Sequence, residues 1–217
     1  MEKIIKLILR LLLGFVFCAC ATVLALQSNL GLSPWDVFHQ GLSKQTGLTI
    51  GQVNILVGIT VVLITAFFKL EIGLGTIANM IIIGFFTDII INLGVIPTST
   101  NLFVRLLMLV ASLFSMAIGS YLYIGCGLGC GPRDGLMVVL VKLTGKSVAL
   151  IRSFIEISVL IIGWLLGGTV GIGTLVTVFG VGICVQMVFK IFKFDVNKVK
   201  HKNIKEGFLF FNKCVNN

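Results

Sequence analysis

The hydrophobic positions of the chain fall into six long runs, separated by short polar segments. A run of about 20 apolar residues is long enough to cross a bilayer as a helix. The runs predict spans at about residues 7–27, 49–68, 72–93, 102–124, 148–166 and 170–192. The first run exceeds the roughly 7–15 apolar residues of a cleaved signal peptide, so we interpret it as a retained span. The pattern predicts an all-α polytopic membrane protein.

Two amphipathic segments, which follow the first and fourth predicted spans, are too short to cross a bilayer. Each places a proline and then an acidic residue after a glycine-rich turn, Pro34 with Asp36 and Pro132 with Asp134. Proline at the first helical position and a carboxylate in the first turn are typical of helix starts, and Ser33 is a suitable N-cap. Thr-Gly pairs supply the stop signals. We therefore predict short helices at about 34–43 and 132–143.

These short helices admit two arrangements in the membrane. They lie flat at the interface, with Asp36 and Asp134 acting only as helix caps, or they enter the bilayer and form a site. In the second arrangement the backbone amides and positive dipole ends of the helices face an anionic or polar solute. The sequence leaves both alternatives open.

The chain matches itself at an offset of 98 residues. Over positions 30–91 there are 15 identities in 62 positions, and seven of them are Gly, Pro or Asp. Each copy contains three spans, an odd number, so the second copy enters the bilayer from the opposite side. We expect two inverted three-helix repeats, residues 1–98 and 99–193, each with a short helix after its Gly-Pro-Asp turn. Residues 194–217 form a Lys-rich tail.

Composition and charge exclude an ordinary soluble domain. The 217 residues are 57% hydrophobic and 12% charged, against roughly 45–50% and about 25% in soluble domains. The net charge is +9, and seven lysines lie in the last 28 residues. Lys and Arg are enriched in the loops and tail that would be cytoplasmic if the N-terminus is inside, so both termini are predicted to be cytoplasmic. The partner expected for this charge is anionic lipid headgroups, and not nucleic acid.

Polar and ionisable residues within the apolar body are costly unless they are paired or face water. They and the two prolines form the candidate substrate-binding set: Pro34, Asp36, Asn54, Asp88, Pro132, Arg133, Asp134, Arg152 and Glu156. We expect Arg133 and Arg152 to hold a negative group of the solute, with Glu156 orienting Arg152. An ion pair within one helix is the simpler explanation for Arg152 and Glu156, which are four residues apart.

Two further patterns have a structural and a functional interpretation. The Gly-x-Gly-Thr motifs at 73–76 and 171–174 predict close packing through small residues, with a backbone-lined constriction as the alternative. Cys126 and Cys130 have the spacing of a metal or redox pair on a helix, but the glycines between them argue against a rigid helix.

Aromatic and histidine side chains in this sequence have ordinary explanations. We assign Trp35, Phe38 and Trp164 to an aromatic belt at the membrane interfaces. We interpret His39 and His201 as surface residues.

The segments LGLSPWDV, GCGPRDG and GIGT, together with the six-span pattern, resemble the YczE/YyaS/YitT group of bacterial integral membrane proteins. The resemblance covers about residues 5–193, and it implies a protein of the bacterial cell (inner) membrane with an unassigned biochemical activity. YitT-like members typically carry a soluble C-terminal domain where this chain has a Lys-rich tail. The short YczE-like branch is therefore favoured.

The function expected from these features is that of a small-solute transporter or channel, with its site at the interface of the repeats. No phosphate-binding loop, catalytic triad, zinc motif or dinucleotide fingerprint occurs, so neither catalysis nor a cofactor is expected. The alternative is a non-transporting membrane regulator or scaffold that engages a cytoplasmic partner through its basic tail and loops. An enzyme acting on lipid would need a convergent acid/base pair.

Overall fold

The computed structural model describes residues 2–70, 72–129, 131–196, 199, 202–207 and 209. The main elements in these ranges are helices, and no strand occurs there. They are α1 (Glu2–Ser28), α2 (Pro34–Thr46), α3 (Ile50–Phe67), α4 (Leu74–Asn92), α5 (Leu102–Ile124), α6 (Pro132–Thr144), α7 (Val148–Leu165) and α8 (Ile172–Ile191). The predicted all-helical class is confirmed.

Six of these helices are long and apolar enough to cross a membrane, which confirms the six predicted spans. They are α1 from Ile4 onward, α3, α4, α5, α7 and α8. The helix α1 begins several residues before the apolar run, at Glu2, because Glu and Lys are good helix formers and continue the helix toward the polar phase. Many large apolar side chains on these helices are exposed in the isolated chain, as expected for surfaces that face lipid.

The two remaining helices, α2 and α6, have 13 residues each and begin at the predicted prolines. Each ends against a glycine in the left-handed conformation, Gly47 at φ 74° and Gly145 at φ 66°. The N–H of each glycine donates to a carbonyl four residues earlier, which is a standard helix stop. The helices extend beyond the predicted ends at residues 43 and 143, as far as the residue before the capping glycine.

The centre of the molecule is the contact between α1 and α5, which are the first spans of the two predicted repeats. Gly14 and Gly119 bring the two backbones close together, because a side chain at either position would meet the other helix. The Ser115 hydroxyl donates to the Phe17 carbonyl oxygen at 2.7 Å. Phe17 and Ser115 are themselves 98 residues apart.

The short helices pack against spans of the opposite half. The helix α2 lies along α7, and α6 lies along α3. Trp35 at the start of α2 shares an apolar cluster with Ile155 near the middle of α7. The Lys44 ammonium at the other end of α2 donates to the Gly167 carbonyl oxygen at 2.6 Å. The helix α2 therefore runs parallel to the second half of α7.

The Gly-x-Gly-Thr motifs hold the turns that precede the short helices. The Gly75 N–H donates to the Leu128 carbonyl oxygen at 2.7 Å, and the Gly173 N–H donates to the Leu30 carbonyl oxygen at 2.8 Å. These two hydrogen bonds correspond to each other at the 98-residue offset. The small residues of the motifs pack closely, as predicted, but against a turn of the opposite half and not against another helix as we expected.

Candidate functional site

A cavity of about 610 Å³ lies between the two halves, where the first turns of α2 and α6 meet. Small-molecule sites have volumes of about 300–1,000 Å³. Eight of the nine predicted site residues line this cavity: Pro34, Asp36, Asn54, Pro132, Arg133, Asp134, Arg152 and Glu156. The duplicated turns thus place residues that are a hundred positions apart in the chain around one space.

The first turn of α2 presents a buried carboxylate to the cavity. The Ser33 hydroxyl caps the helix by accepting the Asp36 N–H at 3.4 Å, and it donates to Asp36 Oδ2 at 2.5 Å. The other carboxylate oxygen, Oδ1, lies 4.0 Å from Nδ1 of His39. Asp36 is 5% exposed. Its carboxylate is therefore held at the helix start by the Ser33 hydroxyl, with the His39 imidazole nearby but not hydrogen-bonded to it.

The first turn of α6 supplies a guanidinium that crosses to the other half. The Arg133 guanidinium carbon lies 4.9 Å from the centre of the Trp35 ring, which is a cation–π contact. Trp35 and Arg133 are equivalent positions at the 98-residue offset, so this contact joins the two short helices directly. Within the described ranges Arg133 has no hydrogen-bond or ion-pair partner. Its N–H donors are therefore not engaged by protein acceptors there.

The helix α7 contributes an ion pair at the margin of the cavity. The Arg152 Nε lies 3.1 Å from Glu156 Oε1, so the pairing within one helix is confirmed. The Arg152 side chain is 63% exposed and that of Glu156 is 29% exposed. A pair this exposed contributes little to stability. Arg152 is less enclosed than Arg133 and is already bound to a carboxylate.

Uncharged polar groups line the space between these charges. The Asn54 amide donates to the Met80 carbonyl oxygen at 3.3 Å and faces the cavity. The cavity lining also includes Asn79 and Thr177, which the sequence reasoning missed. They are equivalent at the 98-residue offset, and that shared polarity was the signal that could have identified them.

Asp88, the ninth predicted residue, lies outside the cavity lining. Its Oδ1 accepts the Gly51 N–H at 2.8 Å, and its Oδ2 accepts the Thr49 hydroxyl at 2.5 Å. These groups are at the N-terminus of α3, so the carboxylate of Asp88 caps that helix from α4.

Two sequence interpretations are wrong. His39 is 2% exposed and lines the cavity, although we assigned it to the surface. Trp35 is buried beside the cavity and does not belong to an interfacial belt, whereas Trp164 is 62% exposed. Both errors concern α2, whose polar composition indicates an exposed helix but whose first turns are buried beside the cavity. His201 lies outside the described residues.

The hypothesis that Cys126 and Cys130 form a metal or redox pair is not tested by the structure, because Cys130 lies outside the described residues. The Cys126 thiol is buried and donates to the Leu122 carbonyl oxygen at 3.3 Å. Within the described ranges no group of three or more His, Cys, Asp or Glu residues is placed to hold a metal ion.

Comparison with known proteins gives a family but no biochemical activity. Residues 5–190 match the model of a family of unknown function, DUF6198. An uncharacterized protein of Haemophilus influenzae is 40% identical over 164 residues, which is 76% of this chain and 74% of that protein. The uncharacterized membrane protein YczE of Bacillus subtilis is 32% identical over 175 residues, 80% of each chain. No solved structure matches the chain.

The uncharacterized protein YyaS of Bacillus subtilis is 27% identical over 173 residues, 76% of this chain and 84% of that protein. The resemblance to YczE and YyaS expected from the sequence motifs is thereby confirmed. With six apolar helices and a relative named as a membrane protein, the chain is a multi-pass integral membrane protein. It belongs to the DUF6198 family.

Proposed function

We propose that this protein is a small-solute transporter or channel whose binding site is the cavity between its two halves. The observation that carries the proposal is the convergence of two helix starts on one cavity of about 610 Å³ that is lined by charged side chains. Charged groups inside an apolar bundle are costly unless they are paired or face a solute path or a water-filled space. The proposed activity is binding and passage of a solute, without catalysis.

We also propose that the halves are inverted repeats related by a pseudo-two-fold axis. The axis would pass between α1 and α5, where Phe17 contacts its own equivalent, Ser115. The paired hydrogen bonds from Gly75 and Gly173 support the same relation. Packing supports it too, since α2 lies on α7 as α6 lies on α3. Transporters built in this way bind their substrates at the repeat interface.

The two short helices are re-entrant in this proposal. The first turn of α2 lies near Ile155, in the middle of a candidate span, and its last turn contacts Gly167 after the end of that span. A helix placed in this way runs from mid-depth to one membrane surface. The helix α6 lies in the same manner along α3, with its first turn at the same cavity. Backbone that is not helical is tolerated at such depth when it lines a cavity.

We propose the bacterial cell membrane as the location, with both termini cytoplasmic. The support is the distribution of lysine and arginine, which are concentrated in the loops and tail on the side of the N-terminus. Anionic headgroups on that face would attract the basic tail.

A swelling assay in proteoliposomes tests the proposed transport. Purified protein is reconstituted, and the equilibration of urea, glycine, sodium lactate and choline chloride is followed by light scattering. At least one solute should enter faster than into liposomes without protein, and Arg133→Gln should slow that entry by about tenfold, the loss expected for one charge-assisted contact. Lys146→Gln, a change at an exposed lysine outside the cavity lining, is the matched control. Equal rates with and without protein for all four solutes would refute transport.

The scaffold alternative places the function in the basic tail. The part of the tail that is described is hydrogen-bonded to the body: the Lys202 N–H donates to Gly127 and the Ile204 N–H donates to Ile72. Deletion of the chain after Val196 separates the alternatives, because transport through the cavity should persist in the shortened protein. Loss of a cellular phenotype with intact membrane insertion and unchanged solute entry would favour the scaffold.

A further inference from the structure

The charges around the cavity have both signs, and this limits the solutes that fit. Two arginines, Arg133 and Arg152, face three carboxylates, those of Asp36, Asp134 and Glu156. Among the described residues, the charged lining therefore has one negative charge in excess. A site for a simple anion is expected to be positive overall, because recognition depends on complementary potential. The lining is better matched to a solute that itself carries both charges.

The positive group available to such a solute is Arg133. Its guanidinium is held against the Trp35 ring at 4.9 Å, and it has no hydrogen-bond or ion-pair partner in the described part of the chain. A guanidinium presents a planar fork of donors that matches a carboxylate in a bidentate manner. Arg152 is less suitable, because Glu156 already occupies its Nε at 3.1 Å.

The negative group available to the solute is Asp36. Its Oδ2 accepts the Ser33 hydroxyl, but its Oδ1 lies 4.0 Å from His39 Nδ1, beyond hydrogen-bonding distance. Asp36 is 5% exposed and lines the cavity. A buried carboxylate is costly unless it is paired, and an ammonium group on a ligand would offset that cost.

Trp35 joins these two groups, because it contacts Arg133 and directly precedes Asp36 in α2. We propose that the cavity binds a small zwitterion, an amino-carboxylic acid whose carboxylate pairs with Arg133 and whose ammonium group pairs with Asp36. This inference rests on the proposed function and specifies its substrate class. The two opposite charges are supplied by the two halves, so neither half binds the zwitterion by itself.

Fluorescence of Trp35 provides a direct binding measurement. The chain has two tryptophans, and Trp164→Phe removes the exposed one, which leaves Trp35 as the reporter in the cavity. The purified variant is titrated with alanine, propionate and ethylamine, and then with 4-aminobutyrate, butyrate and propylamine. In each series the first probe carries both charged groups, the second lacks the ammonium group and the third lacks the carboxylate. We expect saturable binding of at least one zwitterion. The acid and the amine of the same series, which each carry a single charge, should bind more weakly by about tenfold or more.

Substitutions in the same background assign the two ends. Arg133→Gln and Asp36→Asn should each weaken binding of the zwitterion by about tenfold or more, the loss expected for one charge-assisted contact. Arg133→Lys keeps the charge without the fork and should have an intermediate effect. Lys146→Gln should leave binding unchanged. A thermal melt in detergent accompanies each variant, and if Asp36→Asn is unfolded, the probe series and the two Arg133 variants still decide the question.

Two outcomes would overturn the proposal that the cavity binds a zwitterion. One is binding of propionate or butyrate as tight as that of the corresponding amino acid. The other is the absence of saturable binding for both alanine and 4-aminobutyrate. Neither outcome refutes transport, which is judged separately by the swelling assay, since its solutes include neutral, anionic and cationic species. Failure of all four solutes in that assay refutes the proposed function itself.

Discussion

The starts of α2 and α6 have closely similar backbones but different side chains. Each helix has 13 residues, begins with proline, carries an acidic residue two positions later and ends at a left-handed glycine. The start of α2 is capped by the Ser33 hydroxyl, and Asp36 and His39 are buried there. The N-cap of α6 is Gly131, which has no side chain to cap the helix, and Arg133 and Asp134 in its first turn are only half-buried.

The difference separates positions that maintain the fold from positions that form the site. Glycine, proline and the first-turn acid are shared by the two halves because the turn and helix start need them. Trp35 and Arg133 are equivalent positions that have diverged, and they contact each other at the cavity. If the two halves are repeats, as proposed, similar backbone with unlike side chains gives the cavity an asymmetric lining, and substitutions at shared and at diverged positions should then have different effects.

The largest effect is expected from alanine at the shared turn glycines, Gly31 and Gly129. Their φ angles are +122° and +124°, and a Cβ at either would lie 2.7 Å from a threonine hydroxyl oxygen, that of Thr174 or Thr76. Left-handed strain and the clash together should cost at least about 2 kcal/mol in each variant. Thermal unfolding in detergent measures this, and the two losses should be similar because both positions belong to the scaffold.

The matched control is Gly182→Ala. A Cβ at this helical position meets nothing within 4 Å, so stability should be unchanged or higher by up to about 1 kcal/mol. If alanine is tolerated at only one of the two turn glycines, the two turns do not play the same part in the fold of the two halves.

Much of the fold can be predicted from the sequence because its signals are local. Apolar runs set the six spans, and Pro34 and Pro132 mark the short helices before any contact is known. The position of α2 could not be predicted in the same way. Its polar composition is that of an exposed helix, whereas its packing against α7 depends on residues more than a hundred positions away.

The candidate site was partly predictable, because a charged residue in an apolar span has a free-energy cost that calls for an explanation. This argument selected Arg133, which lines the cavity. Asp36 lines it too, but it was selected from its place at a helix start. The same argument cannot distinguish a cavity from a helix cap. Asp88 is explained by Thr49 and Gly51 at the start of α3, contacts that only the three-dimensional structure reveals.

An intermediate effect on the free energy of unfolding is expected when Trp35 and Arg133 are exchanged for each other. Trp35→Arg places a second guanidinium beside Arg133, and Arg133→Trp leaves two indoles without a cation. The double variant restores a cation–π pair with its members reversed. In a double-mutant cycle of unfolding free energies, the two changes should be coupled by about 1 to 2 kcal/mol, between the values for an exposed and a desolvated cation–π contact, because Arg133 is half-buried. Additive effects would show that the contact contributes no stability.

The smallest effects are expected at the N-caps, where the halves differ most simply. Ser33→Ala removes the hydroxyl that accepts the Asp36 N–H and should cost about 1 kcal/mol. Gly131→Ser introduces the missing cap at a backbone conformation of φ −62° and ψ 159°, with the nearest atom 3.7 Å from the new Cβ. Because glycine is only slightly inferior to serine as an N-cap, stability should rise by a few tenths of a kcal/mol. A loss on Gly131→Ser, measured as a lower unfolding midpoint, would mean that the added hydroxyl disturbs Asp134, and that α6 needs an uncapped start.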